Sequence, residues 1–278
     1  MKPAWLNKKI NLKDCSAMQQ SLRRLRLNTV CEQAMCPNIG ECFLRKTATF
    51  LILGKNCTRS CSFCNIQKAK PLPVDESEPF RVAQAVGRLG LKHVVITSVT
   101  RDDLSDGGAG IFARTVKQVR EKFPKVRIEI LIPDFGFSLP ALKIAADSNP
   151  DIIAHNLETV PLLYKQVRQG ADYARSVGLL GTLKEIAPKL KTKSGLMLGL
   201  GEKTEQVLAV MHDLRSVQCD LLSIGQYLAP TKQHYPVKNY VAQEQFEYYK
   251  EKGKKLGFLH IESGPYVRSS YMAAEYLS

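Results

Sequence analysis

Residues 48–64 read ATFLILGKNCTRSCSFC. The first six, apolar with a β-branched and an aromatic residue among them, have the composition of a buried strand. Three cysteines follow at once as C-x3-C-x2-C: Cys57, Cys61 and Cys64. Three thiolates hold a metal centre and leave one coordination position for another group. In a parallel α/β barrel the chemistry sits in the loops after the strands' C-terminal ends, and this loop falls where that rule puts a site.

Downstream the chain alternates between two patterns. Short β-branched runs read as strands at 48–53, 93–99, 126–132, 152–158, 194–200 and 221–227. Stretches of helical period lie between them at 80–90, 111–123, 139–147, 171–187 and 204–217, and a last helix is expected over 242–257. Strand–helix alternation implies parallel strands with crossover helices. The expected fold is α/β, a partial parallel (β/α)6 TIM-like barrel over 48–240. An N-terminal cysteine-bearing extension, 1–47, folds against it, and a C-terminal helix and closing segment, 241–278, completes one structural unit. The loops TRDDLSDGGAG, HNLE, GLGE and GQYLAP then fall at strand ends, on the rim of the cysteine loop.

The chain has 278 residues, 44% of them hydrophobic and 24% charged, as folded globular proteins have. It has no apolar run long enough for a membrane span, and MKPAWLNKKINLKDC lacks the apolar core of a secretory signal. A cytoplasmic protein is expected. The formal charge is +14, with thirteen Lys and Arg against three Asp and Glu in residues 1–70. Such a bias is a solvated face or a surface for an acidic partner, protein or nucleic acid. No RNA-recognition signature accompanies it.

Six of the eight cysteines lie between residues 31 and 64, the first three as C-x4-C-x5-C at Cys31, Cys36 and Cys42. A disulfide framework belongs to short secreted chains. Structural zinc asks for four ligands, usually in close pairs, and a three-and-three division does not supply them. Iron–sulfur clusters fit better, because each set leaves one iron without a protein thiolate.

C-x3-C-x2-C with Phe63 before the last cysteine resembles the signature of the radical S-adenosylmethionine (SAM) superfamily. CEQAMCPNIGEC, VVITSVTRDDLSDGGAG, HNLETVPLLYKQVRQGADYARSVGLL, TKSGLMLGLGE, GQYLAPTKQHYPVKNYV and GPYVRSSY further resemble the lipoyl synthase family, over nearly the whole chain. The resemblance implies that Cys57, Cys61 and Cys64 hold a 4Fe–4S cluster whose open iron binds SAM. It implies that Cys31, Cys36 and Cys42 hold an auxiliary 4Fe–4S cluster, with Ser270 of RSSY as its fourth ligand. A serine oxygen is a hard donor for a soft cluster iron, which suits a cluster dismantled for its sulfur. The implied reaction inserts two sulfur atoms at carbons 6 and 8 of an octanoyl-lysine on a lipoyl-domain or H-type carrier protein. An electron donor such as flavodoxin or ferredoxin, and an iron–sulfur carrier for cluster repair, are the further partners implied. Neither membrane nor nucleic acid is expected.

Candidate cofactor contacts are Phe63, Asn156, Glu158 and Arg175. Asn156 and Glu158 end a strand where a nucleoside could bind, or cap the next turn. Arg175 meets the cofactor carboxylate or lies on a helix surface. Ser269 competes with Ser270 for ligation, and Arg268 and Tyr271 act at the site or pack the tail. DGGAG at 106–110 is read as a tight turn needing positive φ rather than an anion site. Two alternatives stand beside the main reading. One is another sulfur-inserting radical enzyme, although biotin synthases lack the N-terminal cysteine set and methylthiotransferases carry an RNA-binding domain. The other is a zinc-bearing nucleic-acid-binding protein, which leaves the ordered strands and the RSSY tail unexplained.

Overall fold

The computed structural model describes residues 3–6, 15–271, 273 and 276. Residues 7–14 of the expected N-terminal extension, and parts of the closing segment after Tyr271, lie outside the described residues. The chain divides into two compact units. The N-terminal unit comprises the described residues of 15–58 and 65–153, with 273 and 276; the C-terminal unit comprises 3–6, Arg59–Cys64 and Ala154–Tyr271.

The N-terminal unit begins with α1 (Ser16–Arg24), β1 (Asn28–Thr29), α2 (Val30–Gln33) and α3 (Ile39–Leu44). Then come β2 (Thr49–Ile52) and the short parallel pair β3 (Asn56–Cys57) and β4 (Gln67–Lys68). Three strand–helix steps follow: α4 (Glu78–Leu89), β5 (His93–Ser98), α5 (Ala109–Lys122), β6 (Arg127–Leu131), α6 (Leu139–Asp147) and β7 (Ile152–Ala154). β2, β5 and β6 are parallel, with Thr49 opposite Val95 and Val95 opposite Glu129. The extension joins this sheet, because β1 runs antiparallel to β2 with Thr29 opposite Phe50. Phe50, Ile52, Val94, Ile96, Ile128 and Ile130 are fully buried, as a sheet covered on both faces requires.

The C-terminal unit continues with α7 (Tyr164–Val167), α8 (Tyr173–Ile186), β8 (Lys191–Leu198), α9 (Thr204–Ser216), β9 (Leu221–Gln226), α10 (Gln243–Lys255) and β10 (His260–Gly264). β8, β9 and β10 are parallel. Its core gathers Leu180, Leu196, Met211, Ile224, Phe246 and Ile261. Among the described residues no helix is long and apolar enough to cross a membrane.

The α/β alternation expected from sequence is the one observed, with strand ends shifted by a few residues. The expected strand at 152–158 is regular only to Ala154, since Glu158 takes φ +68° and keeps a single bridge to Leu196. β8 starts three residues before the expected Ser194, and its Lys193 is fully buried, which the charged KTKS run concealed. β10 was not expected, because HIESG lacks a β-branched run.

The turn after β5 packs against Leu53, the residue after β2. Gly107 and Gly108 have φ +60° and +94°, and a Cβ on Gly108 would overlap the Leu53 side chain. The tight-turn reading of DGGAG therefore holds. The Asp106 carboxylate accepts hydrogen bonds from Gly108 N and Gly110 N, each at 2.8 Å, and so satisfies amides at the start of α5. Asp106→Ala is expected to lower stability by about 1 kcal/mol, the usual worth of such a cap. The urea midpoint of the variant measures it.

Candidate active site

The cysteine loop starts from a strained turn. Leu53, the residue after β2, takes φ +66°, and Gly54 takes +91°. A bulky residue in the left-handed region persists only where neighbours hold it. The Leu53 amide donates to Glu78 Oε2 at 2.7 Å, and buried Arg101 reaches the Leu53 carbonyl at 3.4 Å. Burial pushes the Glu78 carboxyl up, partly offset by that amide. Arg101 is itself fixed by a two-pronged pair to Asp103, both contacts 2.8 Å.

TRDD, at 100–103, grips the first cysteine. Thr100 N donates to Cys57 Sγ at 3.4 Å, and Thr58 N donates to Thr100 O at 3.1 Å. The Thr58 hydroxyl donates to Asp102 Oδ2 at 2.8 Å. The rest of the loop is fastened within the C-terminal unit. Ser62 N donates to Val167 O at 3.0 Å and the Ser62 hydroxyl to Gln166 O at 2.8 Å. Cys64 N donates to Cys61 O at 3.2 Å, a tight turn that draws these two cysteines together. Phe63 packs against Val167, Leu200 and Tyr227, which fastens this end of the loop. Tyr227 is buried beside Cys64, and its hydroxyl is pushed up to about 12, chiefly by desolvation.

The N-terminal set is built on two short helices. Thr29 caps α2, its Oγ1 accepting from Glu32 N at 3.3 Å and donating to Glu32 Oε2 at 3.1 Å. Cys36 N donates to Cys31 O at 3.1 Å, and Ile39 N donates to Cys36 O at 3.2 Å as α3 begins. Burial pushes the Cys31 thiol up to about 12, and the nearby Cys36 and Cys42 sulfurs push it the same way. Cys36 and Cys42 thus lie near enough to Cys31 for their charge to act on its thiol.

None of the eight cysteines is in a disulfide, and both sets are partly accessible. Among the described residues no three His, Cys, Asp or Glu side chains close on a single ion position. A cluster asks for a wider set than one ion does, because each thiolate binds a different iron. Two sets of three accessible, unbridged thiols on short-spaced loops are the donor chemistry such clusters take.

Asn156, Glu158 and the RSSY segment meet in the C-terminal unit. Asn156 Nδ2 donates to Glu158 Oε1 at 3.0 Å and to Ser269 Oγ at 2.5 Å. The Ser269 hydroxyl is therefore engaged by Asn156. Asn156 Oδ1 is buried without a hydrogen-bond partner and faces Gly195, where a Cβ would come within 2.8 Å of it. A buried acceptor without a donor is costly, and a ligand hydroxyl or amine satisfies it. Burial pushes the Glu158 carboxyl up, against the opposing pull of Arg168 and Asn156.

Arg175 stands elsewhere. It is exposed in the first turn of α8, its amide accepted by the capping Asp172 at 2.8 Å. The guanidinium beside Glu158 belongs to Arg168, which donates to Tyr164 Oη at 3.0 Å and Ser176 Oγ at 2.9 Å and lies 3.2 Å from His155 Nε2. Sequence reading passed over Arg168, His155 and Ser176.

Residues 51–214 match the radical SAM superfamily, and the chain belongs to it. Its fold is shared with methylornithine synthase, at 14% identity and a TM-score of 0.58 over 92% of this chain and 82% of that one. Streptococcus suis SuiB gives a TM-score of 0.61 at 14% identity, over 95% and 57% of the two chains. Within the superfamily the chain belongs to the lipoyl synthase family. It is 58% identical to the lipoyl synthase of Geobacter sp. strain M21 over 99% of this chain and 94% of the relative. The lipoyl synthases of Geobacter sulfurreducens and Caldanaerobacter subterraneus subsp. tengcongensis are 59% and 54% identical, over 99% and 98% of this chain and 90% and 95% of theirs. The family implies SAM and 4Fe–4S clusters as cofactors, and the enzyme class is a radical SAM sulfurtransferase.

Proposed function

We propose that this chain inserts sulfur at carbons 6 and 8 of an octanoyl group carried in amide linkage on the lysine of a lipoyl-domain or H-type protein. Cys57, Cys61 and Cys64 would hold the SAM cluster, and Cys31, Cys36, Cys42 and Ser270 the auxiliary one. When bound, these groups supply hydrogen abstraction from unactivated carbons and the sulfur that replaces it. The chain's own residues hold and orient. Glu78 and Arg101 fix the turn that launches the cysteine loop, Phe63 anchors its end, and the Asn156 amide with Glu158 offers hydrogen bonds to a nucleoside. The engagement of Ser269 by Asn156 supports Ser270 as the remaining hydroxyl for ligation. The observation that carries the reading is the pair of separate three-thiol sets in a chain so close to lipoyl synthases along its whole length. A flavodoxin- or ferredoxin-type donor, an iron–sulfur carrier for repair, and a cytoplasmic location complete the proposal.

Iron, acid-labile sulfide and zinc are measured per chain after anaerobic reconstitution, and an octanoyl-lysyl peptide is then assayed for lipoyl product by mass. About eight irons and eight sulfides, with a product two sulfurs heavier, are expected. Zinc in place of iron, or iron without sulfur insertion, overturns the reading.

A further inference from the structure

From residue 221 to 243 the chain has no Asp or Glu, while Lys232 and Lys238 are exposed and His234 is half-buried. This stretch leaves β9 and is pinned to the cysteine loop. Tyr235 N donates to Ser62 O at 2.9 Å, and its hydroxyl donates to Gln166 Oε1 at 3.2 Å. Its carbonyl accepts from the buried Tyr227 hydroxyl at 2.8 Å, and Lys238 N donates to Gly199 O at 2.8 Å. The cations therefore stand in a fixed relation to Ser62–Cys64 rather than on a free flap.

Neighbouring residues extend the same character. Lys165 is exposed beside Gln166, and Leu162 is 75% exposed a turn earlier. Lys203 is exposed two residues after Gly201, which the Lys238 side chain adjoins. The nearby Glu202 is turned inward, its carboxylate accepting from Gly199 N at 2.6 Å and Leu200 N at 2.9 Å. Glu205, in the first turn of α9, is the exposed carboxylate next in sequence.

We propose that this rim, Lys165, Lys203, Lys232 and Lys238 around exposed Leu162, docks an acidic protein that carries the acyl-lysine substrate. The inference rests on the function proposed above and deepens it. A substrate side chain on a folded carrier reaches the cysteine loop only if the carrier's surface rests beside that loop. A reductant has a weaker requirement, since an electron need not enter by the substrate's route. Cations already ordered lose little entropy on meeting an acidic face, and they raise its association rate at low salt.

The test compares wild type with the K232E/K238E double variant. Each is given an octanoylated acidic carrier and a short neutral octanoyl-lysyl peptide, and reductive SAM cleavage with dithionite serves as the control. The carrier KM is expected to rise roughly tenfold at low salt and to converge with wild type at high salt. Peptide turnover and SAM cleavage stay unchanged. An unchanged carrier KM overturns the proposal, as does an equal loss on the peptide. A defect confined to flavodoxin-driven turnover assigns the rim to the reductant and overturns it too. A wild-type enzyme that converts neither carrier nor peptide removes the functional reading itself.

Discussion

Cys61→Ala is expected to abolish 5′-deoxyadenosine formation, whereas Cys36→Ala leaves it and stops only sulfur insertion. Cys61 lies in the tight turn that Cys64 N closes onto Cys61 O, with Ser62 fastened to Gln166 and Val167 between them. Alanine leaves that backbone intact and removes one of the three thiolates proposed to hold the cluster, so the expected loss is one of ligation rather than of folding. A drop of at least about a thousandfold is expected, the scale on which an essential group of a catalytic unit is felt. Cys36 belongs to the other set, next to Cys31, whose thiol burial and neighbouring sulfurs push up to about 12. A thiol that reluctant to ionise binds metal only by giving up its proton, so filling of this set weakens as pH falls. Quantifying 5′-deoxyadenosine and lipoyl product in parallel decides the matter. Normal cofactor cleavage by both variants, or by neither, breaks the division of roles between the two cysteine sets.

How much of this was legible in the sequence depended on whether a signal was local. β2, β5, β6 and β7 were readable because they are β-branched, mostly buried runs, and the helices between them have clear period. β10 escaped, since its five residues alternate buried and half-buried with Glu262 and Ser263 among them. β1 escaped because two residues carry no pattern; its place is fixed by pairing with β2. The two cysteine spacings were plain in the sequence. The residues that hold them were not. Glu78 lies 25 residues from Leu53, and Arg101 lies 48 from it, yet together they fix its amide and carbonyl. Arg175, read as a cofactor contact or a helix-surface residue, is exposed on α8, while Arg168 sits in an irregular stretch and turns to His155, Ser176 and Tyr164. Adjacent serines cannot be told apart by type; the structure adds that Asn156, 113 residues away in sequence, bonds Ser269.

Gly225→Ala is expected to damage the enzyme where no catalytic group is touched. Gly225 lies in β9, opposite Met197 of β8 and Gly264 of β10, with no positive φ, so alanine suits its backbone. The difficulty is space. A Cβ there would overlap the Val267 carbonyl oxygen and come within 3.3 Å of Arg268 Nη1. That carbonyl cannot yield cheaply: it accepts from Arg268 Nη1 at 2.7 Å, and Val267 N donates to Gly264 O at 3.0 Å. Overpacking against backbone costs about 1–3 kcal/mol, or several degrees in Tm for a chain of this size. The displaced segment leads into Ser269, bonded to Asn156, and Ser270, the proposed ligand. Sulfur insertion is therefore expected to fall about tenfold or more, along with the iron retained per chain. Ile261→Val is the comparison. Ile261 lies in the same core, and the change costs about 0.5–1.5 kcal/mol by removing a methyl rather than by wedging the tail. Sulfur insertion that falls in both variants only as stability falls makes Gly225 a packing residue alone. A loss in Gly225→Ala well beyond its loss of stability places the RSSY segment's position under the control of β9.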